Sequence, residues 1–144
     1  MQLKSDVFQL VYTSVSAFEF SESDLQDILS VANDRNMAYG VTGLLGHMAA
    51  TGEIIQLLEG SESYVRMIFA SIARDPRHVA ISIRYEGTAD ERLFKRWRMC
   101  FAGNEAWHAL DPYRLDAPGR KALEPAETAS PPMRILREYI STFL

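Results

Sequence analysis

The hydrophobic positions of this chain switch between a period of two and a helical period, and the switches mark its elements. Val7 to Ser14 is β-branched and aromatic, the composition of a strand. Behind Ser21-Glu22-Ser23-Asp24, the residues Leu25, Ile28, Leu29 and Ala32 recur at helical spacing. Ser23 with Gln26 matches a capping box, and the helix is expected to end near Arg35-Asn36. Gly40 to Met48 and Glu53 to Glu59 read as strands joined by a turn around Ala50-Thr51-Gly52. Val65, Ile68, Phe69, Ile72 and Ala73 form the stripe of a second helix, capped by Ser61 or Ser63 and stopped by Asp75-Pro76. Val79 to Glu86 alternates, with Ile81, Ile83 and Tyr85 on one side. In Trp97 to Phe101, the residues Trp97, Met99 and Phe101 share a face.

The order β-α-β-β-α-β-β predicts an α+β, ferredoxin-like architecture: a mixed five-stranded sheet with two helices on one face. Asp111 to Pro132 is rich in proline, alanine and charge, and reads as loop with at most a short helix around Gly119 to Leu123. Met133 to Leu144 places Leu136, Ile140 and Phe143 at helical spacing, and this helix is expected to cap the sheet's other face. Residues 1–104 are then the main domain, and residues 105–144 a loop and cap helix of the same globular unit.

Composition narrows the function classes. A chain of 144 residues, 47% hydrophobic and 24% charged, is an ordinary single globular domain. Its formal charge of −4 argues against binding nucleic acid through phosphate contacts. One cysteine, Cys100, excludes an internal disulfide framework and a multi-cysteine zinc site. No stretch reaches membrane-spanning length and the N-terminus lacks a signal-peptide core, so a cytoplasmic protein is expected. His47, His78 and His108 lack metal-ligand spacing, and no phosphate-binding glycine loop is present. Gly40 and Gly43 fit close backbone approach in a strand.

The most informative polar residue is Gln56, which interrupts the apolar run Ile54-Ile55-Gln56-Leu57-Leu58. A run of that kind reads as a strand covered on both faces. A carboxamide there is either satisfied within the protein or a contact to something buried beside it. Tyr12, Asn36, Trp97 and Met99 are neutral polar or aromatic residues that could converge with it. Each also has an ordinary structural reading, as core or helix-ending residue.

Together these segments resemble the BLUF domain, a family of blue-light sensors using flavin. The resemblance rests on Leu10-Val11-Tyr12-Thr13-Ser14, Asn36 with Gly40-Val41-Thr42-Gly43-Leu44-Leu45, and Gln56-Leu57-Leu58-Glu59-Gly60. It continues in Arg74-Asp75-Pro76-Arg77-His78 and Phe94-Lys95-Arg96-Trp97-Arg98-Met99. The pieces are modest singly and specific jointly. The resemblance implies a non-covalent flavin between the two helices, FAD with FMN or riboflavin as alternatives. Asn36 matches the residue holding the ring's carbonyl and N–H edge. Gln56 matches the glutamine beside the flavin N5, and Tyr12 the tyrosine bonded to that glutamine. Ile28, Ile72, Asp75, Arg77 and His78 fall at positions lining the ring or ribityl chain, and Trp97 and Met99 match the two residues that compete to lie near the glutamine.

The mechanism so implied is electron and proton transfer from Tyr12 through Gln56, which leaves the amide rotated or tautomerised and re-packs the last strand. No turnover is implied. Output would pass to a separate partner protein, with self-association of the chain expected and no nucleic acid or membrane involved. A flavin-dependent oxidoreductase on the same fold is the alternative. Two departures stand out: the hairpin Gly46 to Gly52 is longer than is common in the family, and Ile55 occupies a position where an aromatic is frequent.

Overall fold

The apolar run that contains Gln56 becomes the central strand of a five-stranded sheet. The computed structural model describes residues 6–95, 99–103, 107–116, 121, 123 and 129–141. Its elements are β1 (Val7–Ser16), α1 (Glu22–Tyr39), β2 (Thr42–His47), β3 (Glu53–Gly60), α2 (Glu62–Ala73), β4 (His78–Ala89) and β5 (Cys100–Ala102). A 3-10 helix (His108–Tyr113) and α3 (Pro131–Ile140) follow. The sheet order is β4-β1-β3-β2-β5, antiparallel throughout except for the parallel pair β2 and β5.

Each face of this sheet carries its own core. On one, Leu10, Tyr12 and Leu58 pack with Leu25 and Leu29 of α1 and Val65 and Ile68 of α2. On the other, Val11, Leu44, Ile55 and Leu57 pack with Met133, Leu136 and Ile140 of α3. Both faces of β3 are therefore dry, which is why its sequence is nearly all apolar. The cap helix sits where the stripe of Leu136 and Ile140 places it, and the architecture agrees with the ferredoxin-like α+β expectation.

Several local readings change. The capping box is Ser21 with Asp24: the Ser21 hydroxyl accepts from the Asp24 N–H at 3.1 Å, and the Asp24 carboxylate accepts from the Ser21 N–H at 2.8 Å. The helix thus starts two residues ahead of the Ser23-Gln26 reading, and it runs to Tyr39 instead of stopping at Arg35-Asn36. Gly40 stops it at φ 65°, the left-handed conformation glycine adopts without a Cβ penalty. Gly40 is a cap and not strand. Gly43 does fit the close-approach reading, because a Cβ there would run into the carbonyl of Leu57. Ala73 is exposed and leaves the stripe of α2.

In β4 the expected alternation breaks. Ile81 packs with the helix-side core while Tyr85 packs with the cap-side core. Register shifts against β1 fall between Val11 and Tyr12 and between Thr13 and Val15, and Ala80 takes φ 56°. Each inserted residue reverses which face the following side chains meet, so Ile81, Ile83 and Tyr85 do not share one. Met99 and Phe101 do, both in the helix-side core. Trp97, the short helix expected near Gly119 to Leu123 (apart from residues 121 and 123) and Phe143 lie outside the described residues. The 3-10 helix, unforeseen inside a loop, seats Leu110 in the helix-side core.

Candidate functional site

The strand pairing brings Tyr12 and Gln56 directly opposite each other on β1 and β3, on the face that carries α1 and α2. Tyr12 is 2% exposed and Gln56 4%. The Tyr12 hydroxyl donates to Gln56 Oε1, and Gln56 Nε2 donates to Met99 Sδ at 3.4 Å. The carboxamide is therefore held between a phenol on one side and a thioether on the other. A thioether sulfur only accepts, so this contact requires the amide nitrogen, not its oxygen, to face Met99. Met99 itself is 1% exposed. Its backbone carbonyl accepts from Asn33 Nδ2 at 3.1 Å, which ties the approach to β5 onto α1.

Burial pushes the Tyr12 phenol above its ordinary pKa. Arg35 opposes that shift and Asp75 adds to it. The proton is accordingly held on the oxygen, and Gln56 Oε1 is its acceptor. The Tyr12 ring lies 5.4 Å from Phe69 and 6.1 Å from His78. His78 is fixed from two sides: Nε2 lies 2.7 Å from the Ile72 carbonyl and Nδ1 2.8 Å from Ser14 Oγ. A carbonyl can only accept, so Nε2 carries the hydrogen.

Beside this pair opens a cleft between α1, the C-terminal end of α2 and the sheet. Of the residues expected around a ligand, Tyr12, Ile28, Gln56, Ile72, Asp75, Arg77 and His78 line it. Asn36 does not. It is fully buried on the inner side of α1, and its carbonyl caps the helix by accepting from the Val41 N–H at 2.9 Å. Met99 does not line the cleft either, but it bonds to Gln56, which does.

The mouth is charged. Arg77 makes a bidentate pair with Asp75 (Nη2 to Oδ2 2.6 Å, Nε to Oδ1 3.0 Å) and reaches Asp27 of α1 at 3.3 Å. The Arg77 guanidinium holds the Asp75 carboxyl below the usual carboxylate range. Arg35 also lines the wall, half-buried, and burial lowers its pKa.

Arg35 and His47 escaped sequence reasoning, although both line the cleft. His47 stacks on Phe20 at 5.4 Å. The register Leu45 to Gln56 and His47 to Ile54 puts all four side chains on one face, so the hairpin pairing would have found them. Leu25 and Ala32 follow from Ile28 by helical spacing. Nothing in the sequence singles out Arg35.

The lining suits a flat, mostly apolar ring with a polar edge. Ile28, Ile72, Leu45 and Ile54 supply apolar walls, Gln56 a two-way hydrogen-bonding tip and Arg35 a guanidinium on the wall, while the charge of Arg77 is balanced by Asp75 and Asp27. Among the described residues no group of three or more His, Cys, Asp or Glu could hold a metal ion, and no helix is long and apolar enough to cross a membrane.

Comparisons with known proteins bear on the same residues. A family model described as sensors of blue light using FAD matches residues 7–100. The blue light- and temperature-regulated antirepressor BluF of Escherichia coli is 39% identical over 72 residues, covering 50% of this chain and 17% of that protein. The photoactivated adenylate cyclase subunit beta of Euglena gracilis is 30% identical over 104 residues, covering 72% of this chain and 12% of that protein. The chain thus spans less than a fifth of either relative. Among solved structures, BlsA in its photo-activated state superposes with a TM-score of 0.63 at 29% identity, over 80% of this chain and 89% of that one. The dark-state structure of BlrB, a BLUF protein, gives 0.68 over 95% and 99%, at 24% identity, a likeness of fold.

Proposed function

The chain belongs to the BLUF family, the sensors of blue light using FAD, and from that premise we propose that it holds FAD non-covalently in the cleft and reports light through Gln56. Tyr12, Ile28, Gln56, Ile72, Asp75, Arg77 and His78 are the residues that would hold the flavin, joined by Arg35 and His47. Asn36 joins them as the candidate for the ring's carbonyl and N–H edge, one that the cleft does not expose. Flavin, when bound, supplies blue-light absorption and a strongly oxidising excited state.

The protein's part is to control one proton and one amide. Tyr12 is an oxidisable side chain whose burial keeps its proton in place, and Gln56 Oε1 is the acceptor toward which that proton moves. Gln56 then rotates or tautomerises. With Nε2 toward Met99 the thioether accepts a bond; with oxygen on that side two acceptors would face each other. Met99 is favoured in one amide state and disfavoured in the other, which is the differential contact a two-state element requires. Trp97, two residues ahead of Met99 in the sequence, is the residue proposed to exchange with it. The single observation that carries this reading is the buried chain Tyr12–Gln56–Met99 at the wall of the cleft.

The sensory unit is taken to include residues 105–144, since Leu110, Leu136 and Ile140 complete the two cores. Output goes to a separate partner protein, as the name of the antirepressor relative suggests for that protein. Self-association of the chain belongs to the same reading. The test is spectroscopic: purified protein should carry oxidised flavin, and blue light should shift its absorption reversibly to longer wavelength. Protein that takes up no flavin, or whose spectrum ignores light, would overturn the proposal.

A further inference from the structure

Five residues apart in sequence, Phe94 and Met99 are buried in cores on opposite faces of the sheet. Met99 meets Gln56 on the flavin side, whereas Phe94 is fully buried in the cap-side core to which Leu136 and Ile140 of α3 belong. The chain entering this crossing is held by a side chain the mechanism above does not use. Glu59 lies three residues beyond Gln56 on β3 and is fully buried. Its carboxylate accepts from the backbone N–H of Leu93 at 2.8 Å, from that of Phe94 at 2.9 Å, and from Gln9 Nε2 at 2.9 Å. Arg92 strengthens the junction, donating to the Glu59 carbonyl at 3.3 Å and to Thr42 Oγ1 at 3.0 Å.

Burying a carboxylate is unfavourable unless hydrogen bonds replace its water, and an apolar side chain would fill this space without that cost. Two of the three replacements here are backbone N–H groups of residues that belong to no strand. What the carboxylate accomplishes is to fasten the Leu93–Phe94 backbone to the same strand that carries Gln56. Bonds to an ionised acceptor are shorter and stronger than neutral ones, which suits a fixed point.

We propose that Glu59 is a positioning residue for light signalling. It pins the cap-side end of the crossing, so that a change at Met99 is delivered into the core beneath α3 instead of being absorbed in the connection from β4. The inference rests on the photosensory reading and can fail separately from it.

The first test uses the unaltered holoprotein and amide hydrogen exchange in the dark and under blue light. The Leu93 and Phe94 amides should stay equally protected in both conditions while Met99 and α3 change. Loss of protection at Leu93 and Phe94 on illumination would overturn the proposal. The second test uses Glu59→Gln, with Gln9→Glu combined with Glu59→Gln as a variant that keeps the charge and the cross-strand pair. Both should retain the flavin spectral shift, because Tyr12, Gln56 and Met99 are untouched. In the dark, Leu93 and Phe94 should exchange about tenfold faster or more. The light-minus-dark difference in α3 should vanish. A full difference in α3 despite freed amides, or amides no faster than in the parent, would overturn the anchor. An absent spectral shift in the parent protein would instead sink the photosensory reading, and the dark-state exchange of Leu93 and Phe94 still judges the anchor.

Discussion

The hydroxyl of Tyr12 donates to the amide oxygen of Gln56 across a directly opposed pair of residues on β1 and β3, with both side chains buried. Because the two lie on adjacent central strands, their separation is set by the sheet ladder and not by side-chain choice. That rigidity makes the pair a usable proton path and gives the substitutions below clear expected outcomes.

Replacing Tyr12 by Phe keeps the ring beside Phe69 and His78 and removes only the donor. Gln56 Oε1 then loses its partner, at a cost of about 1–3 kcal/mol in unfolding free energy. The flavin should remain bound and the light-induced spectral shift should disappear, as read by absorption before and after illumination.

Gln56→Leu is close in shape and apolar, so the strand should tolerate it. It deletes the group that joins Tyr12 to Met99. Flavin uptake should persist and the spectral shift should be lost. A variant that binds flavin and still shifts would remove Gln56 from the mechanism.

Leu136 is fully buried on the cap side. Leu136→Ala should lower unfolding stability by about 2–5 kcal/mol through lost burial and a residual cavity. The Tyr12–Gln56 pair lies on the other face, so the dark flavin spectrum should be unchanged while the denaturant midpoint falls.

Asp75 gives a pH dependence with a defined sign. Its hydrogen bonds to the Arg77 side chain hold the folded-state pKa below the ordinary 3.8. Stability from this pair is therefore fully present above the unfolded value and is lost as pH falls through the folded one. The pair is only partly buried and reachable by solvent, so the effect is small. Asp75→Asn should be less stable than the parent at neutral pH, and the two denaturation midpoints should converge in acid.

The legibility of the site followed the range of each interaction. Gln56 was visible because a single polar residue in an apolar run violates a local pattern, and Tyr12 because it stands in the Leu10–Ser14 motif that carries the family resemblance. His47 was not, because a histidine near a hairpin acquires meaning only when Ile54 is known to stand opposite. Glu59 read as a strand end, and its role depends on Leu93 and Phe94, more than thirty residues further along the chain. The alternation of Ile81, Ile83 and Tyr85 misled for the same reason: bulges arise from pairing with β1, not from the strand's own sequence.

Taken alone, the sequence determined the order of elements, the two-faced sheet, the cap helix and the family, since hydrophobic periodicity and short motifs are written locally along the chain. Tertiary structure decided what the motifs left open: that Met99 meets the amide nitrogen of Gln56, that Asn36 does not line the cleft, and that Glu59 fastens the Leu93–Phe94 backbone. Those outcomes depend on strand register, where a shift of one residue turns every side chain to the opposite face.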